Sequence, residues 1–214
     1  FFIRTNKVQN HPNLLRAIAA SGHEIGSHTD QHQLMALYDI NTQKYVPTQN
    51  REEYMQDLKN CYDKLVSIVG DVQVDGHYVL TRYFRPPALA VSKMGLECVF
   101  FFFFEYIVSG YSPGDYQANG PMQVRYAIEE ELYADDGKIN KGTIFVLHMG
   151  DKNGKLTAEA LDVLLTKNEQ KNDNDPSKFK AGRLSDYLRD GYDQGNPKKT
   201  LRLEADRKLT QQNR

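Results

Sequence analysis

The sequence predicts an α/β fold built on a mainly parallel sheet, open or closed into a barrel. Short apolar runs rich in β-branched and aromatic residues alternate with longer stretches whose apolar residues recur at helical spacing. No internal repeat or low-complexity linker breaks that alternation. With 214 residues, 40% of them hydrophobic and 26% charged, the chain has enough material to bury one sizeable core.

The opening "FFI" reads as the end of a buried strand. "HPNLLRAIAASG" follows as a helix, with Pro12 in its first turn, Leu14, Leu15, Ile18 and Ala19 on one face and Gly22 as its stop. "HEIGSH" is the next strand and its exit. From Arg51 to Val69 the residues Tyr54, Met55, Leu58, Cys61, Tyr62, Leu65, Val66 and Val69 keep helical spacing until Gly70. "HYVLTRYF" then forms a strand that runs into "RPP", where the prolines end ladder pairing. "LAVSKMGLECV" reads as a helix, "FFEYIVSG" as a strand, "VRYAIEEELYA" as a helix and "GTIFVLHM" as a strong β-branched strand. "LTAEALDVLLTKNE" is helical, and "GRLSDYL" closes a domain spanning 1–188. Residues 189–214 form a polar tail, with six Lys/Arg against two acids from Pro197 onward, which suits a solvated segment.

Twenty-seven Lys/Arg against 28 Asp/Glu leave a net charge of −1, so no overall field recruits nucleic acid or an anionic membrane. Cys61 and Cys98 stand far apart, which excludes a disulfide-dense scaffold and a cysteine zinc knot. The only uninterrupted apolar run, "CVFFFFF" at 98–104, is too short to span a bilayer. It holds half of the ten phenylalanines, has no amphipathic period, and would promote aggregation if exposed. The chain starts on "FFIRTN" without an initiator methionine and reads as a fragment. Its oligomeric state is not legible.

Three strand exits carry unusual chemistry: "SHTDQH" after "HEIG", "RPP" after "TRYF", and His148 after "TIFVL". Such ends converge over one face of an α/β sheet. His28 and His32, at i and i+4, would share one side of a helical turn within reach of a single cation. Asp30 between them would lie about 200° around that helix from His28 and is a poor third ligand unless the segment is a loop. The alternative is a polar turn with incidental histidines. Arg85 is either a surface turn residue or a buried cation needing a carboxylate, and His148 either a hydrogen-bonded core histidine or a general acid.

Together, "FFIRTNKVQNHPNLLRAIAASGHEIGSHTDQH", "RPP" and "GTIFVLH" resemble, in that order, the polysaccharide deacetylases of the NodB-homology type, a carbohydrate esterase family. The resemblance runs from Phe1 to about Leu188. It implies a distorted (β/α) barrel and metal-dependent removal of N-acetyl groups from N-acetylglucosamine polymers such as peptidoglycan or chitin. His28 and His32 resemble the metal-binding histidines, with zinc as the expected ion, and Thr29 resembles the loop-bracing hydroxyl. Arg85 resembles the arginine that tethers the catalytic base, with Pro87 in the same R-x-P motif. Ala88 stands where an aromatic residue's N–H helps hold the oxyanion. Asp115 resembles the carboxylate orienting the catalytic histidine, Tyr116 a groove-wall aromatic, His148 the general acid, and Val146 a leucine of the acetyl pocket. The family's base and third metal ligand are neighbouring aspartates that would precede Phe1, and Gln33 replaces a frequent proline.

The expected partner is an N-acetylated glycan, and the expected location is extracellular or cell-surface, by resemblance only. Two other functions stay open: a non-catalytic relative that binds glycan or metal, and an amidase acting on a small substrate. Tyr83, Tyr111 and Tyr116 could stack on sugars or be ordinary half-buried residues.

Overall fold

In the computed structural model, which describes residues 1–6, 8–150 and 153–188, the opening apolar run forms strand β1 (Phe2–Ile3). Pro12 starts helix α1 (Pro12–Ala20), where its fixed φ suits the first turn and its missing N–H has no partner to lose. Leu15 and Ala19, one turn apart, are buried, whereas Leu14 faces solvent. Gly22, at φ +84°, turns the chain into β2 (Ile25–Ser27), whose three residues are all buried. Next comes an antiparallel hairpin that the periodicity analysis does not anticipate, β3 (Ala36–Asp39) with β4 (Lys44–Pro47).

Helix α2 (Arg51–Val69) coincides with the expected span. Asn50 accepts from the Glu53 N–H while the Glu53 carboxylate takes the Asn50 N–H, which satisfies two donors at the helix start. Strands β5 (Gln73–Val74) and β6 (His77–Tyr78) form a second hairpin through Asp75 and Gly76, both at positive φ as a two-residue turn requires. Strand β7 (Leu80–Phe84) leads to "RPP". Helix α3 begins only at Lys93 and runs to Phe101, because Ser92 caps it by accepting from the Gly95 N–H; Leu89, Ala90 and Val91 precede it. Strand β8 is just Tyr106–Ile107. Helices α4 (Pro121–Leu132) and α5 (Gly154–Glu169) follow. From Phe179 the chain belongs to a separate unit, in which α6 (Leu184–Leu188) is helical, and the expected tail from 189 lies outside the described residues.

The sheet order is β1-β2-β7-β8 and every pair is parallel, as the alternating pattern predicts. Among the described residues this sheet stays open rather than closing into a barrel. One core joins α1 and the second half of α2 to the central strands through Leu15, Ile25, Cys61, Leu65, Val69 and Leu80. A second packs the first half of α2 against α3 through Tyr54, Leu58, Phe84, Cys98, Val99 and Phe104. Both cysteines are free and buried. The phenylalanine run divides: Phe104 enters this core, while Phe100, Phe101 and Phe103 are exposed. Among the described residues no helix is long and apolar enough to cross a membrane.

The expected strand "GTIFVLHM" is corrected to an extended segment with a single bridge, Tyr111 to Phe145. Among the described residues it pairs through two bonds, Tyr111 N–H to the Ile144 carbonyl and Val146 N–H to the Tyr111 carbonyl, both 2.8 Å. Gly110 makes this approach possible, because a Cβ there would stand 2.2 Å from the Ile144 oxygen. Gly110→Ala is therefore expected to push residues 144–148 off the sheet and to destabilise the chain by about 2 kcal/mol, read from the urea midpoint.

Candidate active site at the carboxyl ends of the parallel strands

Strands β2 and β7 end side by side, and their first loop residues meet. His28 follows Ser27 directly, and its Nδ1 lies 2.6 Å from the backbone oxygen of Arg85, the residue after Phe84. A carbonyl only accepts, so Nδ1 carries the proton and Nε2 keeps its lone pair. Burial, with help from the nearby Arg85, His32 and His148 charges, lowers the His28 pKa to about 4 despite the bond to Arg85. The ring is neutral at pH 7. His32 is exposed, with its ring centroid 4.9 Å from that of His28.

The helical turn expected between these histidines is not formed. Residues 28–33 are a loop, with Thr29 at φ 62° and His32 at φ 61°. Backbone of that shape needs outside support, and α2 provides it. The buried Asp57 carboxylate accepts the N–H groups of Asp30 at 3.1 Å and Gln31 at 3.0 Å, together with the Thr29 hydroxyl. Two turns further along α2, Lys64 holds Asp30 at 2.8 Å, and Thr5 donates to the same oxygen at 2.6 Å. Thr29 Oγ1 accepts from the Gln33 N–H at 3.1 Å. Burial pushes the Asp57 pKa up despite those donors. For Asp30, burial is outweighed by the bonds from Lys64, Thr5 and Gln31, which hold its pKa below the usual range. Asp30 is thus a structural ion-pair partner and not a ligand beside the histidines.

His148 arrives on the segment bridged to Tyr111, which follows the edge strand β8. Its Nδ1 lies 2.9 Å from Asp115 Oδ1, and its backbone N–H donates to Oδ2 at 2.7 Å. Thr157, on α5, donates to Oδ2 at 2.9 Å. The fully buried Asp115 therefore fixes the ring with Nδ1 protonated, and Nε2 accepts from Arg85 Nη2 at 3.2 Å. Burial lowers the Arg85 pKa, the Asp115 charge opposing, and the buried Arg85 Nε has no hydrogen-bond partner among the described residues.

The structure thus gathers His28, His32, Arg85, Asp115 and His148. Tyr116 joins them, its ring centroid 5.2 Å from that of His148, and buried Val146 lies two residues before that histidine. Ala88 sits on the exposed turn after "RPP" in a left-handed conformation, φ 51°. Asp57, Lys64 and Thr157 were missed by sequence reasoning. The signal was present for Asp57 and Thr157, a charged or polar residue on the apolar stripe of a helix, between Tyr54 and Leu58 and one turn before Ala160.

Two imidazoles, one neutral with its outward nitrogen selected by a carbonyl, fit half of a divalent-metal site. Among the described residues no third His, Cys, Asp or Glu completes such a group.

Two measurements check this arrangement. Asp57→Ala would leave the buried Asp30 N–H and the part-buried Gln31 N–H unpaired, at an expected cost of about 2 kcal/mol in chemical unfolding. The unfolded His28 imidazole takes its proton near pH 6.5, the folded one only near 4, so the unfolded state binds more protons between those values. Stability is accordingly expected to fall as pH drops from 6.5 to 4, by up to about 3 kcal/mol. His28→Asn should flatten that slope in urea titrations at pH 7, 5.5 and 4.

Residues 1–98 match the sequence profile of a family described as polysaccharide deacetylase. No curated protein sequence matches the chain. Among solved structures, a CE4 family pseudoenzyme from Bacillus anthracis superposes with a TM-score of 0.62 at 20% identity, over 88% of this chain and 54% of its own. A family 4 acetyl xylan esterase from Clostridium thermocellum, in complex with a cobalt ion, gives 0.60 at 20% identity, over 79% of this chain and 69% of its own. A mutant of the peptidoglycan deacetylase PdaC from Bacillus subtilis gives 0.61 at 16% identity, over 99% of this chain and 81% of its own. The chain spans about half the length of the first of these. At such identities the superpositions establish the fold alone: the chain has the fold of CE4 family members, and its residues 1–98 match the profile described as polysaccharide deacetylase.

Proposed function

We propose that this chain belongs to a hydrolase that removes N-acetyl groups from an N-acetylglucosamine-containing polysaccharide of the peptidoglycan or chitin type. The observation that carries this reading is the meeting of His28 and Arg85, which leave the ends of two central strands, with His148 from the extended segment bridged to Tyr111. Those residue types, in that order, are what the chemistry requires.

An amide carbonyl is a poor electrophile. A divalent ion, zinc in our reading, would be held by His28 and His32 and when bound polarises that carbonyl and acidifies water. The Arg85 carbonyl keeps His28 in the tautomer a ligand needs. The Arg85 guanidinium has donors to spare at Nε, where a carboxylate serving as base would be tethered. His148 would give a proton from Nε2 to the departing amine, and Asp115 holds its ring in place through Nδ1 for that step. Tyr116 walls one side of the ring, Val146 supplies an apolar surface for the acetyl methyl, and the Ala88 N–H would face the oxyanion. A carboxylate base and an acidic third ligand would complete this set. Action on cell-wall glycans would place the enzyme outside the cell or at its surface.

One observation favours a second reading, a relative that binds glycan or metal without turnover: among the described residues the histidine pair has no acidic third ligand. Metal analysis and acetate release from N-acetylglucosamine oligomers separate the two. His28→Ala should lose the metal and the activity together. His148→Ala should keep the metal and lose at least a hundredfold in turnover. Wild-type rates in both variants would end the catalytic reading, and bound metal with no acetate release by the intact protein would favour the second.

A further inference from the structure

The β3–β4 hairpin leaves the histidine loop directly, and its surface is of an unusual kind. Tyr38 and Tyr45 stand directly opposite each other across the two strands, so both rings lie on one face. They pack edge to face with centroids 5.3 Å apart and are 55% and 65% exposed. An isolated two-stranded ribbon is marginal in water, yet this one is firmly rooted. Met35 at its base is fully buried, Thr48 Oγ1 donates to the Leu34 carbonyl, and the Gln33 N–H is held by Thr29. Its turn is tied as well, with Asp39 accepting from the Asn41 N–H at 2.8 Å and the Thr42 hydroxyl at 2.9 Å. A well-supported ribbon that presents paired aromatic rings to solvent is a preorganised surface that no partner covers among the described residues.

Resting on the deacetylase reading above, we propose that Tyr38 and Tyr45 form a glycan-binding platform for sugars distal to the reacting one, whose ligand is a neutral β-linked chain of N-acetylated pyranoses. Tyrosine offers an apolar ring face for the C–H side of a pyranose and a phenol for its hydroxyls, and it loses little rotamer freedom on contact. Charge points the same way. Asp39 and Lys44 are directly opposed across the ribbon, so the strands present no net charge to attract a polyanion or a polycation. Reach agrees too. Tyr38 lies six residues beyond His32, so the two are at most about 20 Å apart, and a polymer with one unit at the histidines can touch the hairpin with another. A disaccharide held at the histidines would contact it least.

The test uses the intact chain as wild type, Tyr38→Ala/Tyr45→Ala and Tyr38→Phe/Tyr45→Phe, with binding to insoluble chitin and to the β-1,4-linked N-acetylglucosamine hexamer, and size-exclusion chromatography alongside. The double alanine variant should bind both probes about tenfold more weakly, as the loss of two aromatic contacts implies. Its KM for the hexamer should rise by a similar factor with kcat unchanged and the disaccharide unaffected. The phenylalanine variant, which keeps the rings, should retain most of the affinity. Unchanged glycan binding by the alanine variant, or no binding by the wild type, overturns the proposal. So does a wild-type dimer that the alanine variant turns into a monomer with unaltered glycan affinity, since the hairpin would then join two copies. Polymer binding that depends on the tyrosines in a protein releasing no acetate would sustain the platform and defeat the deacetylase reading. Acetate release with tyrosine-independent binding would do the reverse.

Discussion

One hydrogen bond, from His28 Nδ1 to the carbonyl of Arg85 at 2.6 Å, ties together the exits of the two central strands, and the rest of the site is arranged around it. It exists because β2 and β7 pair in parallel and finish level, with Ser27 opposite Phe84. The next residue on each strand therefore falls at the same edge of the sheet. Its partners inherit their positions from that placement. Arg85 can reach His148 only because its backbone is already held beside His28, and His148 is in turn fixed by a carboxylate from a third part of the chain, Asp115.

Around this centre the protein uses buried charge for position. Asp57 and Lys64 on α2 hold a loop whose left-handed residues would otherwise relax, and Asp30 completes that network instead of contacting the histidine pair. Buried carboxylates are costly unless their oxygens are satisfied. Asp57 and Asp115 are satisfied mainly by backbone N–H and hydroxyl donors, which fixes loops as firmly as it fixes the acids. After the edge strand β8 Gly110 works by omission, since the lack of a Cβ lets the segment carrying His148 come close.

Much of this was legible along the chain. Helix α2 matched its expected span because apolar spacing, the Asn50 cap and Gly70 all agree locally. The strand exits were found because proline, histidine and arginine interrupt apolar runs. Less legible were elements whose identity depends on pairing. "GTIFVLHM" has strong β propensity, yet among the described residues two bonds hold it to its neighbour. The segment at 36–47 lacks a marked turn dipeptide and became a hairpin anyway, whereas Asp75–Gly76 carried such a signal and went unread. The i, i+4 spacing of His28 and His32 suggested a helical turn, but donors that a helix would use internally go to Asp57.

By itself the sequence determined the α/β class, the order of helices and central strands, and which residue types stand at the strand ends, because periodicity and turn chemistry act over short distances. The tertiary structure decided which ends converge, which nitrogen of His28 and of His148 is protonated, and that Asp30 pairs with Lys64 rather than standing with the histidines. Those outcomes depend on contacts between residues tens of positions apart, and only the register of the sheet and the packing of α2 specify them.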